Sequence, residues 1–272
     1  MISSLLYDLN HARLWHRELR VWGQRLRATS LDRFVFLVLH RAGIMGAGEA
    51  HLLRKLTKEG MQVVDIGANI GLYTLLFAKR VGNAGRVFAF EPEPNLFSAL
   101  CDNCATNAVL NVSPFQIAAG DSNGRAKFQR SILNSGDNRL GETKIDVKPI
   151  EVEVARLDDL LPVRNVQFIK LDVQGHELAA LAGMQEVIAS SPGVRVFFEF
   201  WPGGLRAANT PPESLLSFFR ERGFKLYGTK GGVLRSLRDS QQLISDLGPK
   251  QYTNLLATRN AVEIEGTPGQ NR

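Results

Sequence analysis

The sequence predicts an α/β fold, a mostly parallel sheet covered by helices, with a helical extension at its N-terminal end. Two observations predict it. From Gln62 to Phe200, short apolar runs alternate with segments of helical spacing, the pattern of βαβ units. Size and composition agree: 272 residues, 44% hydrophobic and 22% charged, can bury one large core without staples and rule out a disordered or collagenous chain.

Residues 1–58 read as the extension. Leu5, Leu9, Ala12, Trp15, Leu19, Trp22 and Leu26 recur at spacings of three and four, which places them on one helical face beside Arg13, Arg17, Arg20 and Arg27. Two tryptophans on one face point to burial, against the rest of the chain or a second subunit. A basic amphipathic helix also suits an anionic lipid surface or an acidic partner. No basic segment precedes an apolar stretch with a cleavage site, so no signal peptide is expected. The longest apolar run, Phe34 to Leu39, is far short of the roughly 20 residues that span a bilayer.

After Gly60 the pattern is regular. Gln62–Ile66 is a strand, and a glycine turn leads into a helix over Leu72–Val81. A strand at Arg86–Phe90, a helix from about Asn95 to Asn107 and a strand at Val112–Ala118 follow. Phe168–Leu171 and Val194–Phe200 are further strands, separated by a helix at Glu177–Ala189; Glu213–Arg222 reads as a helix, and Phe224–Gly228 and Asn254–Arg259 as late strands. Residues 119–165 break the alternation, with Val147–Ala155 extended and edge-like and Ser131–Thr143 a polar loop. The expected organisation is therefore an extension over 1–58, one catalytic domain over 59–260 and a frayed tail over 261–272.

Charge sharpens this division. Of a formal +6, residues 1–60 carry 10 Lys/Arg against 5 Asp/Glu, while the remaining 23 and 22 nearly cancel. The basic balance thus belongs to the extension and is poor support for a nucleic-acid partner. Two cysteines exclude a disulfide framework and favour a reducing, cytoplasmic setting.

The segment Val63-Val64-Asp65-Ile66-Gly67-Ala68-Asn69-Ile70-Gly71 carries the chemistry. A strand ends in an acid, and small residues let the backbone turn into a helix N-terminus. A dinucleotide site wants G-x-G-x-x-G, but the glycines fall at 67 and 71. An acid before the loop repels a pyrophosphate and welcomes a cation, such as the ammonium and sulfonium of S-adenosylmethionine. Glu91 closes the next strand, placed to accept from both ribose hydroxyls, and Pro92 supplies a wall for the adenine. Asp121, in Ala119-Gly120-Asp121 after the third strand, is placed to accept the adenine amino group. Gly67, Ala68, Asn69 and Gly71 complete the cofactor set.

Four segments in order resemble FkbM-type methyltransferases: residues 64–71, Phe90-Glu91-Pro92, residues 119–124, and Lys170-Leu171-Asp172-Val173-Gln174-Gly175-His176-Glu177. The match runs from about Gln62 to Trp201. The resemblance implies a class I, Rossmann-like fold whose seven-stranded sheet has an antiparallel last strand. It also implies an S-adenosylmethionine-dependent enzyme that methylates hydroxyl oxygens of sugars and other metabolites. Gln174 departs from the family, where many members carry glutamate.

In that topology residues 172–177 lie beside the methyl group. Asp172 is the carboxylate expected near sulfonium and acceptor, and it counts with the cofactor set as well. His176 is the expected base, since an alcohol needs its proton taken and imidazole titrates near neutrality. Glu177 suits the first helical turn. Glu199, a carboxylate in the apolar strand Val196-Phe197-Phe198-Glu199-Phe200, needs a partner or a role and is the third catalytic candidate; Trp201 and Pro202 beside it suit an acceptor wall.

Rival chemistries lack their residues. No Asn/Asp-Pro-Pro-aromatic motif follows the fourth strand, so a flipped base is not expected. Cys101 and Cys104 sit within a helix with no second pair, which suits packed thiols rather than zinc. Metal-dependent O-methyltransferases of the catechol type need an Asp-Asn pair after the fifth strand, which Glu199-Phe200-Trp201-Pro202 lacks, so no metal is expected. The expected partners are S-adenosylmethionine and a small-molecule or saccharide acceptor, without nucleic acid or a transmembrane segment; a homodimer and peripheral membrane contact fit the N-terminal helix. A non-catalytic nucleoside-binding module and an RNA or DNA methyltransferase remain as alternatives.

Overall fold

The structure, a computed structural model, describes residues 18–129, 139–140, 149–163, 165–260 and 262. The chain enters as a hairpin of β1 (Leu19–Val21) and β2 (Gln24–Leu26), not as the helix that the spacing of Leu19, Trp22 and Leu26 predicts. Positive φ at both turn residues, 52° at Trp22 and 83° at Gly23, gives the turn that two-residue hairpins require. Leu19, Val21, Gln24 and Leu26 then face inward with period two, and Arg20 and Arg25 face out. Two side chains on the helix behind clasp β2. Asn107 accepts from the Arg25 amide at 2.9 Å and donates to its carbonyl at 2.6 Å, while Asn103 accepts from the Arg27 amide at 2.9 Å and donates to its carbonyl at 3.2 Å. Residues 1–17, the rest of the expected helix, lie outside the described residues, as do most of the 131–143 loop and the 261–272 tail.

Helices α1 (Leu31–Arg41) and α2 (Ala47–Leu56) follow, joined by a left-handed Gly46. The body then alternates as expected: β3 (Gln62–Ile66), α3 (Leu72–Val81), β4 (Arg86–Phe90), α4 (Pro94–Thr106) and β5 (Val112–Phe115). Next come β6 (Ala118–Ala119), β7 (Gly124–Gln129), β8 (Arg139–Leu140), β9 (Ile150–Ala155) and the short α5 (Leu157–Leu160). The second half holds β10 (Phe168–Leu171), α6 (Glu177–Ala182), α7 (Gln185–Ala189), β11 (Arg195–Phe200), α8 (Pro202–Ala207) and α9 (Pro212–Glu221). It closes with β12 (Lys225–Lys230), β13 (Val233–Ser236), α10 (Ser240–Leu247) and β14 (Thr253–Thr258).

The main sheet has the order β13-β12-β14-β11-β10-β3-β4-β5, eight strands where seven were expected, because β13 returns antiparallel to β12. Strands β11, β10, β3, β4 and β5 are parallel, and β14 runs antiparallel to both β11 and β12. Pro114 sits in β5, an edge strand, where a missing N–H costs no ladder bond. The sheet buries both faces. Val64, Ile66, Phe88, Ile169 and Phe198 pack toward α6, α7 and α9, while Val63, Val87, Phe168, Phe197 and Leu256 pack toward α2 and α3.

The chain leaves this sheet after β5. Strand β6 pairs with β9 in a second sheet, order β6-β9-β7-β8, so β9 is an inner strand rather than an edge. The helix expected over Glu177–Ala189 is two helices. A Cβ on Gly183 would lie 1.8 Å from the Gly120 carbonyl oxygen, and this close approach of backbones breaks the helix there.

Candidate active site

Strand order reverses between β3 and β10, and their carboxyl ends open the crevice where α/β sheets bind ligands. Two backbones almost touch there. Gly67 has φ 78°, and a Cβ on it would meet the Asp172 carbonyl oxygen at 1.9 Å, so only glycine fits. Asn69 also takes a positive φ, 53°, and its side-chain oxygen caps its neighbour by accepting from the Ile70 amide at 2.9 Å. Gly71 sits behind the loop, where a Cβ would press Leu100 of α4; it does not line the cavity.

Glu91 and Pro92, at the end of β4, are on the cavity wall. One Glu91 oxygen accepts from the Asn69 amide at 2.8 Å and the other from Glu93 at 3.0 Å, which fixes the carboxylate against the loop. Burial raises Glu91 to about 7 despite those amides. Ile117, Ala118, Ala119 and Phe128 continue this wall. Asp121 does not reach it. The turn from β6 to β7 carries Gly120 under Ala155, whose carbonyl accepts the Gly120 amide, and leaves Asp121 exposed beside Ser122. The adenine role expected of Asp121 therefore lacks the geometry.

The other half of the cavity follows from strand parity. On β3, β10, β11 and β14, the residues Asp65, Lys170, Glu199 and Asn254 share a face with Val63, Phe168, Phe197 and Leu256, the face turned to α2 and α3. They form a polar row near the strand ends. Lys170 Nζ lies 3.2 Å from Asp172 Oδ2 and 3.9 Å from Asp65 Oδ1, and 5.1 Å from the centre of the Tyr73 ring. Burial works against its charge, but Asp172, Asp65 and Glu49 together hold it above the ordinary lysine value. Asp65 is sealed beneath the loop, accepting from Thr74 Oγ1 at 2.6 Å, and burial raises its pKa. It braces Lys170 and α3 rather than touching the cavity as expected.

Asp172 and Glu199 do line the cavity, and Gln174 joins them: its amide nitrogen donates to Asp172 Oδ1 and to Glu199 Oε2, each at 2.9 Å. Gln174 itself has φ 54°. From the N-terminal side α2 brings Glu49, which accepts from Asn254 Nδ2 and hydrogen-bonds Tyr73; burial raises it above the usual carboxylate range. His176 lines the cavity at the start of α6. Glu177 turns away, accepting from the amides of Gly175 at 3.1 Å and Val173 at 3.3 Å, and burial raises it to about 7. It shapes the loop that presents Gln174 and His176.

Sequence reasoning missed Arg33, Glu49, Tyr73, Lys170 and Asn254, all of them on the cavity wall. Lys170 carried a usable signal, a charge in the four-residue apolar strand Phe-Ile-Lys-Leu. Glu49 and Arg33 carried none, because only tertiary packing brings α1 and α2 over the sheet.

The cavity has a volume of about 910 Å³, near the top of the roughly 300–1,000 Å³ usual for small-molecule sites. That is room for a cofactor and a second molecule. The residues fit S-adenosylmethionine: a fixed carboxylate for a ribose, an apolar wall for a base, and a surplus of carboxylates to favour a sulfonium and an ammonium.

Comparison with known proteins identifies the family. A family model described as the methyltransferase FkbM domain matches residues 65–226, more than half of the chain. The hexuronic acid methyltransferase AglP of Haloferax volcanii is 31% identical over 148 residues, covering 53% of this chain and 59% of that protein. The methyltransferase sdnD of Sordaria araneosa is 27% identical over 157 residues, 46% of this chain and 60% of that one. The chain thus spans about six-tenths of the length of these curated relatives. Among solved structures, an S-adenosylmethionine-dependent O-methyltransferase from Thermotoga maritima has a TM-score of 0.46 at 13% identity, covering 92% of this chain and 80% of that one. A methyltransferase from Aquifex aeolicus has a TM-score of 0.42 at 18% identity, covering 79% and 90%. By the family match, the chain belongs to the FkbM methyltransferase domain family.

Proposed function

We propose that the protein transfers a methyl group from S-adenosylmethionine to a hydroxyl oxygen of a small-molecule or saccharide acceptor. One observation carries this reading. The Glu91–Asn69 ribose anchor and the Asp172–Gln174–Glu199 array open onto the same cavity, so cofactor and acceptor share one space. A relative named for hexuronic acid supports the saccharide class.

When bound, S-adenosylmethionine supplies an electrophilic methyl carbon on a sulfonium. The chain's residues do the positioning, which can be a large part of the rate in such a displacement. Glu91 orients the ribose. Asp172, steadied by Lys170 and Gln174, faces the positive sulfonium. Glu199, Asn254 and Thr229 offer hydrogen-bonding partners to a polyhydroxy acceptor, with Trp201 and Tyr252 as flat walls. His176 takes the acceptor proton. Helix α1 and the α1–α2 turn line the cavity with Phe36, Ile44 and Met45. We place the reaction in a reducing cytoplasm on the two free thiols, Cys101 and Cys104. Among the described residues, no helix is long and apolar enough to cross a membrane.

The test is a labelled-methyl assay against extract of the native cell, followed by separation of macromolecules from metabolites. Label in a small-molecule or saccharide fraction that His176→Ala fails to produce supports the reading. Label in nucleic acid or protein contradicts it.

A further inference from the structure

Helix α2 meets the C-terminal half of the main sheet at two adjacent residues, Gly48 and Glu49. A Cβ on Gly48 would lie 2.5 Å from the Gly231 carbonyl carbon, and one on Gly232 would lie 2.5 Å from the Gly48 carbonyl oxygen. Backbones touch between α2 and the β12–β13 turn and leave no room for a side chain at either position. Glu49 accepts from Asn254 Nδ2 on β14 and hydrogen-bonds Tyr73 at the start of α3. Asn254 is placed in turn by Thr229 of β12, whose Oγ1 donates to the Asn254 carbonyl at 2.9 Å. Gly48, Glu49, Tyr73, Thr229, Gly231 and Asn254 all line the cavity.

This seam stands away from the ribose anchor. Strand β14 is four strands from β4, which carries Glu91 at its end; at the usual strand spacing that is about 19 Å. Asp172, at the end of β10, lies between them in the sheet order. A methyl donor with its ribose on Glu91 and its sulfonium near Asp172 therefore leaves the seam to the second molecule. Of the seam's side chains, Glu49, Thr229 and Asn254 also fall outside residues 65–226, the part matched by the family model.

The chemistry of the seam selects its ligand. A carboxylate has about four lone-pair sites, and Asn254 and Tyr73 occupy two of those on Glu49. The Tyr73 hydroxyl oxygen and the Asn254 side-chain oxygen add further acceptors. Asp172 and Glu199 border the same cavity and disfavour an anion beside them. A ligand that brings hydrogen-bond donors without negative charge is what fits, and two adjacent hydroxyls can donate side by side to one carboxylate.

We infer that Glu49 is an acceptor-binding residue, its carboxylate holding two adjacent hydroxyls of the molecule to be methylated. This rests on the methyl-transfer reading above and narrows the acceptor to one that carries a vicinal diol. Helix α2 thus selects the acceptor, while the family domain holds the donor.

The test uses the full chain, with S-adenosylhomocysteine as the donor-site probe and extract of the native cell as the acceptor source. Dilution of the extract at fixed methyl-labelled S-adenosylmethionine gives a half-saturating amount and a plateau rate. Glu49→Gln keeps the side chain's shape and turns one acceptor into a donor. It should raise the half-saturating amount about ten- to a hundredfold, the range of a hydrogen bond to a charged group. The plateau rate and the affinity for S-adenosylhomocysteine should stay as in wild type, the latter also reporting that the variant is folded. Extract treated with periodate, which cleaves vicinal diols, and then quenched should no longer give the labelled product with the wild type. An unchanged half-saturating amount, an equal weakening of S-adenosylhomocysteine, or full labelling after periodate overturns the assignment. Failure of the wild type to bind S-adenosylhomocysteine or to label untreated extract overturns the methyl-transfer reading itself.

Discussion

The side-chain amide of Gln174 joins Asp172 and Glu199, donating one hydrogen to each carboxylate across 2.9 Å. Gln174→Glu would remove both donors and crowd a third acid into the array. Protonation then relieves the folded state, so the pKa of the cluster rises on folding, and stability present at low pH is lost as pH rises. The variant should be about 1–3 kcal/mol less stable than wild type at pH 8. The gap should close toward pH 5. Urea unfolding at both pH values checks this, and a gap independent of pH would contradict it.

Lys170 is the countercharge for two acids in a buried row. Lys170→Met keeps the length of the side chain and strands Asp65 beneath the loop with Thr74 as its hydrogen-bond donor. The expected cost is about 3–5 kcal/mol, as for breaking a buried pair from one side. Guanidinium unfolding of the two proteins measures it; a loss below about 1 kcal/mol would show that the row carries little charge.

Glu177 sets a pH dependence. Its folded value of about 7 stands above the ordinary 4.5, so between these values the folded chain holds a proton that the unfolded chain has released. Stability from this group is fully present below about pH 4.5, falls as pH rises, and levels off above 7 after a loss of about 3 kcal/mol. Glu91 acts in the same direction over the same window. Glu177→Gln should therefore remove about half of the combined slope between pH 5 and 7. An unchanged slope in denaturant titrations would contradict the burial of its charge.

Asn103 is fully buried and ties β2 to the glycine loop, bonding both backbone groups of Arg27 and donating to the Ile70 carbonyl at 2.8 Å. Asn103→Ala leaves these groups without partners, at a cost of about 2–3 kcal/mol. Hydrogen exchange should rise at the Arg27 amide before it rises in β3 and β4. Uniform exchange through the hairpin and the sheet would show that Asn103 only fills space.

The parallel strands and their helices were legible because burial on both faces writes near-continuous apolar runs, as in Val63–Ile66 and Phe88–Phe90. The hairpin was not. Leu19, Trp22 and Leu26 fit a helical face as well as a hairpin with inward leucines, and a single glycine at position 23 does not by itself mark a turn. Of the site, the loop, Glu91 and the 172–176 segment were readable from strand ends. Asp121 misled because the chain departs into a second sheet at Ala118, which no local pattern marks. Glu49 and Arg33 reach the cavity only through the packing of α1 and α2, a long-range contact without a local signature.

The most direct measurement is the linkage of the transferred methyl. Metabolites labelled by the protein from methyl-labelled S-adenosylmethionine are treated with mild alkali, and volatile methanol is counted. Methylation of a hydroxyl gives an ether that keeps its label, which is the result predicted here. Release of the label as methanol would identify an ester and place the methyl on a carboxylate instead.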